Sequence, residues 1–330
     1  MSKYLVIGAN AFSGQDFVDL LLDNPANKVI GASRSPERSS LFLKYKSHNN
    51  ISNYKYYQLD MNLNMGELIA LIEAEKPEFI VNFAAQSEVA PSWEHPEHWF
   101  QTNAVALSML INFLRKQSFL KRYMHISSPE VYGTCVGNVY EDAPLNPSTP
   151  YAASKAAADL LLFTFVKQFD FPLVMVRSTN VYGAGQQLFK IIPRSVIYIK
   201  LGKKIELHGG GVAVKSYIHI RDISRGEFAV LNNGKQGQIY HLSPDKGIAV
   251  KDVVRLICDR MGKRFEDATT VVEERPGQDA AYVIDSTLAR KELGWAPIIT
   301  MEEGLSEVVD WVENGWSEIA QCPIEYIHKP

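Results

Sequence analysis

Apolar residues in the first half of the chain fall into two alternating patterns. Short apolar runs at 4–7, 28–32, 56–59, 79–83, 122–126 and 173–177 have the length and the β-branched or aromatic content of buried strands. Between them, 15–22, 65–75, 99–116 and a stretch that opens after Pro150 and runs to about residue 169 repeat apolar positions every three or four residues, as amphipathic helices do. Strands alternating with helices predict an α/β fold built on a parallel, doubly wound sheet. After Gly185 the alternation loosens as proline, glycine and basic residues intervene, and 204–211 reads as a hairpin. A helix at 224–231 and a strand at 238–242 return the chain to the sheet, and 250–261 and 301–314 read as further helices. The expected organisation is a larger domain over 1–184 that 224–249 rejoins, with a smaller C-terminal α/β domain from 185–223 and 250–330.

At 330 residues and 46% hydrophobic content, the chain is long enough to bury a core of that size. A net charge of −3 gives no basic field, so no nucleic-acid partner is expected. The three cysteines, Cys135, Cys258 and Cys322, lie far apart and form no CxxC pair. That suits a reducing compartment and predicts neither a disulfide framework nor a thiolate zinc site. No uninterrupted apolar stretch approaches the ~18–20 residues that cross a bilayer, and the N-terminal apolar run is too short for a signal peptide. The expectation is a cytoplasmic protein with no membrane partner. The eight histidines include His95 and His98, but no pattern around them resembles a metal site, so no metal is expected.

Chemistry concentrates in a few segments. Gly8-Ala9-Asn10-Ala11-Phe12-Ser13-Gly14 follows the first strand and opens the first helix, where bare backbone amides and the helix N-terminus hold a pyrophosphate. The middle glycine of the usual dinucleotide pattern is Ala11 here, and Gly8 and Gly14 alone would also suit a plain structural loop. About twenty residues on, NAD-binding proteins usually carry an acid for the ribose hydroxyls. The second strand of this chain ends there in Ala32-Ser33-Arg34-Ser35. Ser33 and Arg34 can donate to a 2′-phosphate that an acid would repel, so NADP is the expected cofactor, with NAD the alternative. Asp60, which closes the third strand, is placed either to bond the adenine or simply to make a turn.

Tyr151-Ala152-Ala153-Ser154-Lys155 carries a reactive pair. On a helix, positions i and i+4 share a face, so the Lys155 ammonium stands near the Tyr151 phenol. An unperturbed tyrosine titrates near pH ~10, and a neighbouring cation favours the phenolate. Tyr151 is therefore a candidate general base.

These segments have company in Asn82-Phe83-Ala84-Ala85-Gln86-Ser87, Ser127-Ser128-Pro129-Glu130-Val131-Tyr132-Gly133 and Asn180-Val181-Tyr182-Gly183. Further on come Arg275-Pro276-Gly277-Gln278-Asp279 and Glu292-Leu293-Gly294-Trp295. Together they resemble the extended short-chain dehydrogenase/reductases, in the branch of epimerases and dehydratases that modifies nucleotide-activated sugars. The likeness covers nearly the whole chain and is greatest to the dTDP-glucose and GDP-mannose 4,6-dehydratases. It implies a Rossmann-type sheet with a smaller substrate domain, a nucleotide-diphosphate sugar as substrate, and a homodimer paired through the helices at 99–116 and 151–169. By the same resemblance Ala84 joins Gly8, Asn10, Ala11, Phe12, Ser13, Gly14, Ser33, Arg34, Asp60, Tyr151 and Lys155 around the cofactor. Ser87 is implied near the sugar, Asn180 near the diphosphate and Arg275 on the nucleotide phosphates. Lys190 matches the lysine of the dehydratases' substrate loop. Lys215 stands where arginine is frequent, so its grip on phosphate would be monodentate.

Within that branch Ser128-Pro129-Glu130 discriminates between reactions. The dTDP-glucose enzymes carry, at the place of Pro129, an aspartate that assists loss of the C6 hydroxyl. The GDP-mannose enzymes carry a serine there, and 4-epimerases generally lack the glutamate. The resemblance therefore implies a 4,6-dehydratase. In it Tyr151 takes the C4-hydroxyl proton, Ser128 bonds the same oxygen, and Lys155 contacts the nicotinamide ribose. Glu130 removes the C5 proton, water leaves from C6, and hydride returns to C6 to give a 4-keto-6-deoxy sugar nucleotide. A 4-epimerase that uses the same oxidation without elimination is the alternative.

Overall fold

Seven strands pair into one sheet in the computed structural model, which describes residues 2–135, 137–273 and 281–330. They are β1 (Lys3–Ile7), β2 (Lys28–Ser33), β3 (Tyr54–Gln58), β4 (Phe79–Asn82), β5 (Arg122–Ile126), β6 (Leu173–Ser178) and, from later in the chain, Ile239–Leu242. The order across the sheet is Ile239–Leu242, β6, β5, β4, β1, β2, β3, and every pairing is parallel. β1 has β2 on one side and β4 on the other, so the winding reverses there. Open α/β sheets bind ligands at such a switch point, beyond the carboxyl ends of the strands.

Alternate side chains of a strand point to opposite faces, and the sheet is buried on both. Tyr4 and Val6 of β1 face one apolar cluster with Val18 and Leu21 of α1 (Phe12–Leu22). Leu5 and Ile7 face the other, with Leu68 of α2 (Met65–Glu75), Leu110 and Leu162. The helix expected at 99–116 runs instead as α3 (Pro96–Phe100), a π-helical stretch Gln101–Ala106 and α4 (Leu107–Leu114). Such wide turns are frequent at functional sites, and this one carries Asn103, discussed below. Leu162 lies in α5 (Pro150–Phe169), which begins where the proline predicted a helix start.

A further core gathers beside the sheet. It joins Ile192 and Val196 of α6 (Ile191–Lys200) with Val254 and Ile257 of α8 (Val250–Arg260) and Leu305 and Val308 of the helix Met301–Asn314, whereas Ile223 and Val230 of α7 (Ile220–Asn233) pack into a core of the sheet. The expected hairpin at 204–211 does not form. Ile205–His208 pairs in parallel with Thr269–Val272, and a parallel partner needs a long crossover, here the one containing α8. The stretch Thr287–Leu293 and Trp295 pack back on the sheet's core, where Trp295 Nε1 donates to the Asp222 carbonyl at 2.9 Å. Gly226 of α7 makes the room: a Cβ there would stand 2.7 Å from that indole nitrogen. Among the described residues, no helix is long and apolar enough to cross a membrane.

Candidate active site

The glycine turn sits at the switch point and is held close by backbone. Gly8 has a φ of +86°, and a Cβ on it would lie 2.7 Å from the Ala84 amide nitrogen. A Cβ on Gly14 would lie 2.1 Å from the Gly8 carbonyl oxygen, so only glycine lets α1 seat on the turn. Ala11 is the extended N-cap of α1 with φ −68°, a conformation open to any residue, so the missing middle glycine does not strain the backbone. α1 starts at Phe12, which puts Phe12, Ser13 and Gly14 in the first turn, where amides lack intrahelical acceptors and no acidic side chain competes. A pyrophosphate fits this cradle by charge and by clearance.

The neighbours expected around a dinucleotide are present, with their own bonds. Asn10 donates its amide to Ser33 Oγ at 2.9 Å and its side chain to the Ser35 carbonyl at 2.9 Å, so buried Ser33 ties the turn to the end of β2. Ala84 donates to Asn82 Oδ1 at 3.0 Å. Asp60 Oδ1 accepts from the Asn62 amide at 2.7 Å, which makes it a turn-forming residue just past β3. Exposed Arg34 donates to the carbonyls of Lys329 and Pro330 at 3.1 and 2.9 Å. Gln86 reaches the same Lys329 carbonyl at 2.6 Å, so the last residues of the chain lie along the edge of this cleft.

The reactive pair stands on the first turns of α5. Thr149 caps the helix by accepting from the Ala152 amide at 3.1 Å, and the Tyr151 amide donates to Ser92 Oγ at 3.2 Å. The Tyr151 side chain is buried and bonds the Ser128 hydroxyl. Ser128 in turn caps the short turn Pro129–Tyr132, accepting from the Glu130 amide at 3.2 Å. Burial, first, and then the charge of Glu130 push the Tyr151 phenol above its ordinary value, while the Ser128 hydrogen bond acts the other way. The sequence expectation that Lys155 draws this phenol down is corrected. The Lys155 ammonium donates to the Ile126 carbonyl at 2.7 Å, at the end of β5, and lies 3.4 Å from His125 Nε2. Burial lowers the Lys155 pKa to about 8, with Asp159 opposing and Arg177 assisting that shift.

Beneath the pair lies a charged network that the motifs did not point to. Arg177 Nη2 contacts Asp159 Oδ2 at 2.6 Å with both side chains buried, and Ser127 donates to the same oxygen at 2.7 Å. Burial, then the nearby Lys155 and Arg177, hold His125 well below its usual pKa and therefore neutral. Asn103 donates to Ser154 Oγ at 2.9 Å and exchanges hydrogen bonds with the Gln86 backbone, so the π-helical stretch couples the loop after β4 to α5. Asp159 had a signal in the sequence, since it follows Lys155 by four positions on the same helical face. Ser92, Asn103 and Arg177 carried none.

The residues expected at the substrate lie on separate elements. Ser87 is exposed just after β4, and its neighbour Glu88 bonds Lys190 at 2.7 Å. Glu88 also acts on the Tyr151 phenol through its charge, and Lys190 is the N-cap of α6. Asn180 is exposed and donates to the Ser216 carbonyl at 3.0 Å from the strand Asn180–Tyr182. Lys215 lies on the strand Val214–Lys215, paired with Ile248–Ala249. Arg275 lies outside the described residues.

Comparison with known proteins gives one consistent result. The chain is 29% identical to dTDP-glucose 4,6-dehydratase of Neisseria meningitidis serogroup B over 332 residues, covering 94% of this chain and 93% of that one. Its fold matches the crystal structure of a dTDP-glucose 4,6-dehydratase from Streptomyces venezuelae with NAD and TYD bound. The TM-score there is 0.88 at 28% identity, with 97% of this chain and 100% of that one covered. A UDP-glucuronic acid 4-epimerase from Bacillus cereus shares the fold at a TM-score of 0.85 and 24% identity, covering 94% of this chain and 99% of that one. The family model described as GDP-mannose 4,6 dehydratase matches residues 5–308, and the chain belongs to that family of nucleotide-sugar-modifying short-chain dehydrogenase/reductases.

Proposed function

We propose that this protein is a nucleotide-sugar 4,6-dehydratase that converts a nucleoside-diphosphate hexose into its 4-keto-6-deoxy form. The observation that carries the reading is the Ser128 hydroxyl, which bonds the Tyr151 phenol and accepts from the Glu130 backbone amide, so that Glu130, whose charge acts on that phenol, stands on the same short turn. Oxidation and reduction at C4 need one base, whereas elimination needs a second one for the C5 proton. A dinucleotide held by the glycine turn would supply the hydride acceptor for C4 and the hydride donor for C6. Tyr151 takes the C4-hydroxyl proton, and Ser128 bonds the same oxygen. Lys155, fixed by the Ile126 carbonyl, stands to contact the nicotinamide ribose. Glu130 takes the C5 proton and hands it to the departing C6 hydroxyl, which leaves as water; when hydride is added at C6, C5 takes up one proton, which balances the one released from the C4 hydroxyl. In this reading residues 1–184 and 224–249 hold the cofactor. Residues 185–223 and 250–330 hold the sugar nucleotide through Asn180 at their border, Lys190, Lys215 and Arg275, while Ser87 faces the sugar.

Glu130→Gln tests the elimination step. The variant keeps Tyr151, Ser128 and Lys155, so oxidation at C4 is expected to proceed and then stall, because an amide cannot take the C5 proton. Adding dTDP-glucose, or whichever nucleotide sugar the parent protein turns over, should leave absorbance of the reduced nicotinamide and little product. Full dehydration by the variant would overturn the role given to Glu130. The second reading, a 4-epimerase, draws on buried Pro129, which offers no acid to the leaving hydroxyl. It requires continued turnover by Glu130→Gln and a product isomeric with the substrate.

The cofactor is a nicotinamide dinucleotide, and we propose NADP, with NAD as the alternative. The support is Arg34 and the absence of an acid at the end of β2, with Ser33 already bonded to Asn10. The 2′-phosphate must then replace the Lys329 and Pro330 carbonyls on the Arg34 guanidinium, and a charged acceptor makes the stronger hydrogen bonds. Titration of the parent protein should show tighter NADP than NAD binding, and Arg34→Ala should abolish the difference. Equal or tighter NAD binding by the parent protein would exclude this assignment. We also propose a cytoplasmic homodimer. Cys258 and Cys322 are free thiols, as a reducing compartment allows. Val105 and Met109, four apart, and Leu160 of α5 expose apolar surface on the helices expected to pair. Light scattering at micromolar concentration should give twice the chain mass, and a monomer there would count against the pairing.

A further inference from the structure

Three imidazoles meet at the surface beside the catalytic helix, although one of them is far away in sequence. His95 precedes α3 and His98 lies within it, while His328 comes from the end of the chain. The ring centres of His95 and His98, of His95 and His328, and of His98 and His328 are 5.1, 5.3 and 5.2 Å apart. Between the first two in sequence stands Glu97, whose Oε1 is 3.8 Å from His95 Nδ1 and 3.7 Å from His98 Nε2. One ligand atom from each of His95, Glu97 and His98 lies within 4.8 Å of the other two. Ligands held at ~2.0–2.2 Å from a tetrahedral zinc ion stand about 3.4 Å apart, so the two carboxylate–imidazole pairs need shifts of a few tenths of an ångström and the two imidazoles at most about 1.4 Å, within reach of side-chain rotation. His95 and His98 are three positions apart in the sequence, whereas only the tertiary fold brings His328 to them.

The other nitrogen of His98 decides which lone pair is free. His98 Nδ1 is 2.9 Å from His328 Nε2. With the proton on His98 Nδ1 and donated to His328, His98 Nε2 keeps its lone pair facing Glu97. Metal-bound histidines are oriented by such a second hydrogen bond. His328 is itself held by stacking on fully buried Trp99, at 5.3 Å and 11° between planes. We infer that His95, Glu97 and His98 bind one divalent first-row transition-metal ion of the zinc class, and that His328 is the positioning residue that orients His98. Two imidazoles and a carboxylate leave a fourth coordination position to water. This site is separate from Tyr151, Ser128 and Glu130 and independent of the reaction assigned to them.

The test is metal binding to the full-length purified chain after chelator treatment, with Co²⁺ followed by its visible absorption and Zn²⁺ by displacement of that signal. The expected result is one saturable ion per chain with the bands of a low-coordinate site. His95→Ala and His98→Ala should abolish those bands while leaving the thermal melting profile intact. His328→Ala should weaken binding by roughly 10–100-fold, the usual effect of losing an orienting partner. His328→Gln, whose amide oxygen can accept from His98 Nδ1, should restore most of it. No saturable binding up to sub-millimolar metal, or binding that His95→Ala leaves unchanged, would overturn the site. Equal affinity in the parent protein and His328→Ala would overturn the positioning role.

Discussion

Tyr151→Phe is expected to lose roughly 10²–10⁴-fold in turnover, the usual contribution of a positioned proton-transfer group, while keeping its fold and its bound dinucleotide. The substitution removes one oxygen, and the ring stays in a site that is already buried and closed by Ser128. The backbone anchor also survives, because the Tyr151 amide donates to Ser92 through the main chain. Steady-state turnover beside a thermal melt of the same sample separates chemistry from folding. Burial and Glu130 hold the phenol above its ordinary value, so Tyr151 carries its proton at neutral pH until substrate and cofactor change its surroundings. Near-normal turnover by Tyr151→Phe would remove the tyrosine from the reaction.

Asp159→Asn is expected to cost about 3–5 kcal/mol of stability, the effect of removing one partner from a buried ion pair. The substitution is close to isosteric, so no cavity contributes. What it removes is the negative charge that Arg177 meets at 2.6 Å, and Arg177 then stays buried without a counter-charge. Asp159 is also the group that raises the Lys155 pKa against burial, so its loss drives Lys155 further towards the neutral amine at physiological pH. Turnover should fall together with stability. Urea denaturation gives the stability change directly. A loss below about 1 kcal/mol would mean that the pair behaves like one at the surface and would refute the argument from burial.

Apolar runs and one-turn spacings are legible in a linear sequence because both depend on neighbouring positions. β1, β2, β4, β5 and β6 were anticipated within a residue or two, because a strand buried on both faces leaves an apolar run in the chain. Gly8 and Gly14 were legible because a turn pressed against backbone admits no side chain, and Tyr151 with Lys155 because four residues make one helical turn. The parallel pairing of Ile205–His208 was not legible. Four residues with strand character look the same whether the partner comes next or sixty positions later, and turn residues nearby favoured the hairpin.

Local pattern thus determined the type of fold and the reactive pair, since both depend on residues within one or two turns of each other. Tertiary structure alone decided what surrounds them. Ser92 meets Tyr151 across 59 positions, Glu88 meets Lys190 across 102, and His98 meets His328 across 230. It also decided that the Lys155 ammonium rests on the Ile126 carbonyl and that the Tyr151 phenol answers first to burial and to Glu130. The physical reason is that hydrophobic periodicity records which face an element buries but not which partner covers it. Desolvation and charge, which set the protonation of every group in this site, depend on that partner.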